Sequence, residues 1–186
     1  MRIIGGKYRG RVLHPPKGLP VRPTTDQAKE GLFNILAHRY DLQGASVLEL
    51  FAGTGHVSYE FASRGATRLT AVDQHAACVR YIQSMFRELG SHDQGRVKDW
   101  EGQAICQAAE RFVAQAGEAY DFIFMDPPYA WTGVPDLVAD IFAHGRLAPE
   151  GLLVVEHASG PGYGHLRYFS ETRKYGSSSF SLFQWE

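Results

Sequence analysis

Cysteine is scarce in this chain: 186 residues hold only Cys78 and Cys106. The two lie in segments with helical patterning and match no metal-ligand spacing, so a disulfide framework is excluded and a reduced, cytoplasmic protein is expected. Long hydrophobic runs are missing as well. No apolar stretch approaches the roughly 20 residues that span a bilayer. The N-terminus has charges but no apolar core followed by a cleavage site, so no secretory leader is expected. There is no internal repeat and no low-complexity tract, which excludes a repeat architecture. What remains is ordinary: 44% apolar and 21% charged residues suit one globular domain with a real core.

Net charge is nearly absent too, at −1, but it is unevenly spread. Residues 1–40 carry Arg2, Lys7, Arg9, Arg11, Lys17, Arg22, Lys29 and Arg39 against Asp26 and Glu30, a net +6, so the rest of the chain carries −7. A basic end on an acidic body suits a polyanion partner, although a solvated charged face accounts for the charge equally well.

The opening "MRIIGGKYRGRVLHPP" predicts two short strands, near Arg2–Ile4 and Gly10–Leu13, joined by a glycine-containing turn. A proline-rich connector follows, and then a helix capped by Thr25 or Asp26, with apolar residues at helical spacing. Domain organisation is read as a basic hairpin and connector over residues 1–22 and a single compact unit over 23–186. Within that unit strands are expected at Ser46–Phe51, Arg68–Asp73, weakly near Arg96–Lys98, Tyr120–Asp126 and Leu152–Glu156. Helices are expected near Val57–Arg64, Ala76–Leu89, Gln103–Ala116 and Val134–His144. This alternation marks an α/β protein with a parallel sheet covered on both faces, closed at its end by an antiparallel hairpin around "KYGSS".

Two loops carry the chemistry. "LELFAGTGHVSYE" leaves a strand, turns through Gly53 and Gly55 and enters a helix, which lets backbone approach a ligand closely. Asp73, at the end of the next strand, is placed to accept hydrogen bonds from both hydroxyls of an adenosine ribose. The third glycine of a dinucleotide fingerprint and the lysine of a P-loop are both missing. Glu49 instead puts a carboxylate near the loop, which suits the cationic S-adenosylmethionine better than a phosphate. A plain strand-to-helix turn is the alternative.

The second loop is "YDFIFMDPPYAW". The prolines end the strand and hold a rigid, extended segment. Asp126 and the Pro127 carbonyl can then grip the hydrogens of an exocyclic amine and free its lone pair for attack on a methyl donor. Tyr129 offers a face for the base. A target base must leave its stack to reach such a pocket.

Taken together, "MRIIGGKYRGR", "RPTTDQAKEGLFNIL", "LELFAGTG", "DPPY" and "KYGSSSFSLF" resemble the bacterial small-subunit rRNA guanine-N(2) methyltransferases of the RsmD type, nearly end to end. The resemblance implies a Rossmann-like, seven-stranded class I S-adenosylmethionine-dependent methyltransferase sheet with an N-terminal β-hairpin extension. It also implies methylation of one guanine amine in 16S rRNA within the small ribosomal subunit or its assembly intermediate. A cytoplasmic monomer that uses neither a metal nor a membrane is expected. Carried over by position, Thr24, Thr25, Glu49, Phe51, Gly53, Gly55 and Asp73 would bind S-adenosylmethionine, and Asp126, Pro127, Pro128 and Tyr129 would hold the guanine. Arg2, Lys7, Arg9, Arg11 and Arg22 would contact RNA phosphates.

The chain departs from the family pattern at three places. His56 and Tyr59 follow the glycine loop where relatives usually have small or aliphatic residues, and His56 is expected to be a partly exposed structural histidine, the alternatives being a helix cap or an approach to the cofactor. The family's acidic contact to the adenine is missing after the third strand, so Asp99 or Glu101 is expected there, with Trp100 packing on the ring or in the core. The competing functions are an adenine-N(6) methyltransferase on DNA or RNA, a non-catalytic RNA-binding assembly factor and, more remotely, an NAD-dependent oxidoreductase.

Overall fold

A computed structural model describes residues 1–19, 25–91, 99–160 and 162–186. Short apolar runs form the centre of one sheet: β1 Ser46–Leu50, β2 Arg68–Asp73, β3 Glu101–Cys106, β4 Tyr120–Met125, β5 Leu147–Ala158, β6 Phe169–Tyr175 and β7 Ser178–Phe183. Their order is β3-β2-β1-β4-β5-β7-β6. β1 to β5 run parallel, while β7 runs antiparallel between β5 and β6. β1 is buried at every residue because helices cover both faces.

The pleat sorts those strands into two cores. Val47, Leu69, Phe122, Phe124 and Val154 face α1 (Asp26–Arg39), α2 (His56–Ser63) and α3 (Ala76–Ser91). Leu48, Leu50, Ile123, Met125 and Val155 face α4 (Ala109–Val113) and α5 (Val134–Ala143). Thr25 caps α1, its side-chain oxygen accepting the Ala28 amide at 3.2 Å. Strand order reverses between β1 and β4, since β2 and β4 flank β1 on opposite sides. That crevice, at the carboxyl ends of the strands, is where open α/β sheets bind ligands.

Three expectations need correction. The third strand of the sheet is Glu101–Cys106, and the strand expected near Arg96–Lys98 lies outside the described residues. The helix expected over Gln103–Ala116 shrinks to α4. β3 is an edge strand, with one side half-exposed, so "EGQAIC" lacks the apolar run that announces a central strand. The N-terminal hairpin makes a single bridge, Arg2 to Val12, flanked by Ile3 N–H to Arg11 O at 3.0 Å and Leu13 N–H to Met1 O at 2.8 Å. Two amides of its turn go to the body: Lys7 N–H reaches Ser63 O at 2.7 Å and Tyr8 N–H reaches Ser63 Oγ at 2.9 Å.

The hairpin is therefore joined to the domain rather than appended to it. Ile3, Tyr8 and Leu13 are buried in the core beneath α1 and α2. Buried Lys29 donates to Arg2 O at 2.6 Å and stands 3.6 Å from buried Glu60, whose carboxylate accepts the Ile4 and Gly5 amides. Leaving either charge buried and unpaired would cost several kcal/mol, roughly 3–5. Among the described residues no helix is long and apolar enough to cross a membrane.

Candidate active site

A cavity of about 360 Å³ opens over the carboxyl ends of β2, β1, β4 and β5. Its size falls within the usual range for ligand pockets, about 300–1,000 Å³. The glycine loop forms one wall. Phe51 leaves β1 in a left-handed conformation (φ 55°), a strained position for a residue other than glycine, and its ring lies 4.9 Å from that of Trp131 on the opposite wall. Gly55 also has positive φ, at 74°, and a Cβ there would sit 2.9 Å from both Ile82 and the Tyr59 hydroxyl. Both the turn and the close approach demand glycine at this position.

Four carboxylates stand on one face of the strand ends. Asp73 Oδ2 accepts the Gly53 amide and Oδ1 the His75 amide, each at 2.8 Å. Oδ1 also lies 2.9 Å from His75 Nδ1, while Oδ2 keeps a further acceptor site. Glu49 is fully buried and accepts the Ser58 amide at 2.8 Å, the Ser58 hydroxyl at 2.5 Å and the Val57 amide at 3.3 Å. Burial pushes its carboxyl up to about 7, against the pull of those Ser58 and Val57 donors. Its role is thus to hold the first turn of α2, and through it the glycine loop. Asp126 and Glu156 complete the row on β4 and β5, with Pro127, Pro128, Tyr129, Ser177 and Ser178 beside them.

Of the residues expected to bind cofactor, Thr25, Glu49, Phe51, Gly53 and Asp73 line this cavity, and Gly55 shapes its loop. Asp126, Pro127, Pro128 and Tyr129 line it too, with Tyr129 half exposed at the rim. Thr24 and Arg22 lie outside the described residues. Asp99 is placed elsewhere: it is paired with Lys7 on the hairpin and has no part in the cavity wall. Glu101 begins β3, at the end remote from the cavity. Trp100 is a core residue, donating to the Tyr8 hydroxyl at 3.1 Å and packing edge-on against Phe86.

The wall that the sequence reading missed is "CQAAE". The β2–β3 register pairs Asp73 with Cys106, so Gln107 and Ala108 follow beside Asp73 and line the cavity with Glu110. The signal was faint, since it required placing an edge strand of little hydrophobic contrast. Tyr59 is buried in the core, edge-on to Phe86. His56, rather than being partly exposed, is buried against the cavity with its Nε2 lacking a hydrogen-bond partner. Burial, with the nearby Lys29 ammonium, pushes its imidazole down to about 3, so it is neutral at physiological pH.

The donor set decides the class of cofactor that fits. Among the described lining residues are Glu49, Asp73, Glu110, Asp126 and Glu156, but no lysine or arginine. Such a wall repels phosphates and favours a cation; Asp73, the Gln107 amide and the apolar faces of Phe51, Val72 and Ala108 suit a nucleoside. Asp73, His75 and Cys78 also bring ligand atoms within 4.8 Å of one another, though a metal there would compete with the Gly53 and His75 amides for Asp73.

The profile of a protein family described as Conserved hypothetical protein 95 matches residues 1–184. The chain belongs to this family, the RsmD family. One RsmD relative, ribosomal RNA small subunit methyltransferase D of Escherichia coli (strain K12), is 33% identical over 156 residues, covering 84% of this chain and 74% of the relative. A solved structure of a candidate methyltransferase, yhhF of Escherichia coli, is 31% identical with a TM-score of 0.83, covering 100% of this chain and 98% of that one. Beyond the RsmD family, magnesium protoporphyrin IX methyltransferase of Synechocystis PCC 6803, solved with bound S-adenosylmethionine, shares the fold at 16% identity and a TM-score of 0.59, over 91% of this chain and 89% of that one.

Proposed function

We propose that this enzyme transfers a methyl group from S-adenosylmethionine to the exocyclic N2 amine of a guanine in 16S rRNA, in the small ribosomal subunit or its assembly intermediate. The observation that carries the reading is the shared cavity: the glycine loop with Asp73 and the Asp126-Pro127-Pro128-Tyr129 loop open onto one space. The methyltransferase class follows from the family, and the name of the Escherichia coli relative supports the small-subunit substrate.

Asp73 would hold the ribose hydroxyls, Gln107 and Ala108 would face the adenine, and Thr25 and the glycine loop would receive the amino-acid end. When bound, S-adenosylmethionine supplies an electrophilic methyl group on a sulfonium with a good leaving group. The protein's own part is positional. The Asp126 carboxylate and the Pro127 carbonyl accept the amine hydrogens, favouring a more tetrahedral nitrogen whose lone pair points at the donor. Asp126 also stabilises, and can carry to solvent, the proton that nitrogen sheds on methylation. Tyr129 at the rim gives the extruded base a stacking surface, worth about 1–3 kcal/mol. The hairpin, with Arg9 exposed, would meet RNA phosphates.

The test is transfer of labelled methyl to small subunits from a strain lacking this modification, with duplex DNA as the control and mass mapping of the product. Label on a guanine of 16S rRNA, lost in Asp126→Asn while calorimetric binding of S-adenosylmethionine persists, is expected. Label on DNA adenine, or absence of cofactor binding by the wild type, overturns the reading.

A further inference from the structure

Glu156 stands where the two cavities of this molecule meet. β4 and β5 run parallel with Met125 opposite Val155, so Asp126 and Glu156 are the next pair along the two strands and fall on the same face. Both line the main cavity. A second cavity, of about 340 Å³, lies beyond the Asp126 loop and shares Pro127, Pro128, Tyr129, Trp131 and Glu156 with the first. The cofactor-side residues Glu49, Gly53, Asp73 and Gln107 line only the first. Glu156 is thus on the substrate side of Asp126, one strand further from the cofactor, and it is only 3% exposed.

A buried carboxylate one strand spacing (about 4.8 Å) from the amine-holding acid is placed for the neighbouring atom of the base. Beside its N2 amine guanine presents N1–H, a donor; beside its N6 amine adenine presents N1, an acceptor. A carboxylate accepts the first and repels the second. His157, also at this junction, has Nδ1 2.8 Å from Ala158 O and Nε2 2.9 Å from Ser181 Oγ. We infer that Glu156 accepts the N1–H of the target guanine and thereby selects guanine over adenine at a loop whose Asp-Pro-Pro-Tyr motif serves either amine. This inference rests on the guanine-methylating function proposed above.

The experiment uses small subunits reconstituted from ligated rRNA carrying guanine or 2-aminopurine at the methylated position. 2-Aminopurine keeps the N2 amine but has a bare acceptor at N1. The wild type should prefer guanine by about 100-fold or more in kcat/KM, as sites built around a base hydrogen do. Glu156→Gln should lose most of its activity on guanine and narrow the preference to about tenfold or less, because its amide can donate to N1 of the analogue. Glu156→Asp, which keeps the charge, should slow transfer yet retain the preference. Both variants should bind S-adenosylmethionine by calorimetry within about threefold of the wild type, since none of the contacts assigned to the cofactor involves Glu156. An unchanged guanine preference in Glu156→Gln, or a loss of cofactor binding equal to its loss of transfer, overturns the inference while guanine methylation by the wild type stands. A wild type that binds cofactor but modifies no guanine removes the proposed function, and this inference with it.

Discussion

The carboxylate of Asp73 accepts the amide hydrogen of Gly53 at 2.8 Å, tying the end of β2 to the glycine loop that leaves β1. Asp73 therefore has two tasks, holding the loop and facing the ribose. Asp73→Ala should raise the dissociation constant for S-adenosylmethionine by about 100-fold or more, since hydrogen bonds to a charged group are worth about 1.5–3 kcal/mol each. Asp73→Asn, which keeps one acceptor for the Gly53 amide, should fall between alanine and wild type. Calorimetric titration measures both; equal affinities for the two variants would assign Asp73 to the ribose alone.

Gly55 offers a cleaner contrast. Gly55→Ala meets a left-handed backbone and two close neighbours, Ile82 and Tyr59, whereas Gly145→Ala meets a left-handed backbone (φ 61°) with nothing within 4 Å. The second should cost about 1 kcal/mol and the first several. At about 2–4 °C per kcal/mol for a chain of this size, thermal unfolding should separate them clearly. Only Gly55→Ala should also weaken cofactor binding.

These two loops were legible in the sequence because their residue types are forced. A left-handed turn against a helix leaves little choice but glycine, and a strand that ends in Asp-Pro-Pro has no amide with which to continue its ladder. β1, β2 and β4 were equally plain, being largely buried on both faces and therefore mostly apolar. β3 was not, because an edge strand with a half-exposed side looks like a helix or a loop. That error moved the expected adenine contact to Asp99 or Glu101, when the register with β2 brings Gln107 beside Asp73. Glu156 carried no signal at all: an acid at the end of an apolar strand becomes notable only when the neighbouring strand places Asp126 next to it.

Glu49 gives the protein a pH dependence of calculable sign. Its carboxyl titrates at about 7 when folded against 4.5 in a model peptide. Between those values the folded state holds a proton that the unfolded state has released, so stability from this group is greatest below about 4.5 and declines as pH rises to about 7. Glu49→Gln removes the titrating group. Its unfolding temperature should be lower than that of the wild type at pH 5, because the glutamine NH2 turns two hydrogens toward the Val57 and Ser58 donors where the protonated carboxyl has only one. It should also change less between pH 5 and pH 7.5. A slope identical to that of the wild type would locate the titration elsewhere.

The basic hairpin holds much of its charge in pairs with the body: Arg2 stands 3.8 Å from Asp26, Arg11 2.8 Å from Glu88, and Lys7 pairs with Asp99. Exposed pairs of this kind are worth about 0–1 kcal/mol, so RNA phosphates can displace the acids at little cost. Asp99→Asn separates the two roles assigned to that residue. As a competitor for Lys7 its loss should tighten binding to small subunits about two- to fivefold at low salt and leave cofactor affinity unchanged; as an adenine contact its loss should weaken cofactor binding. Arg9→Ala should weaken subunit binding and reduce the slope of log affinity against log salt by about 1. A salt dependence unaffected by Arg9, Lys7 and Arg11 together would detach the hairpin from RNA and leave it the purely structural task seen in Ile3, Tyr8 and the Lys29–Glu60 pair.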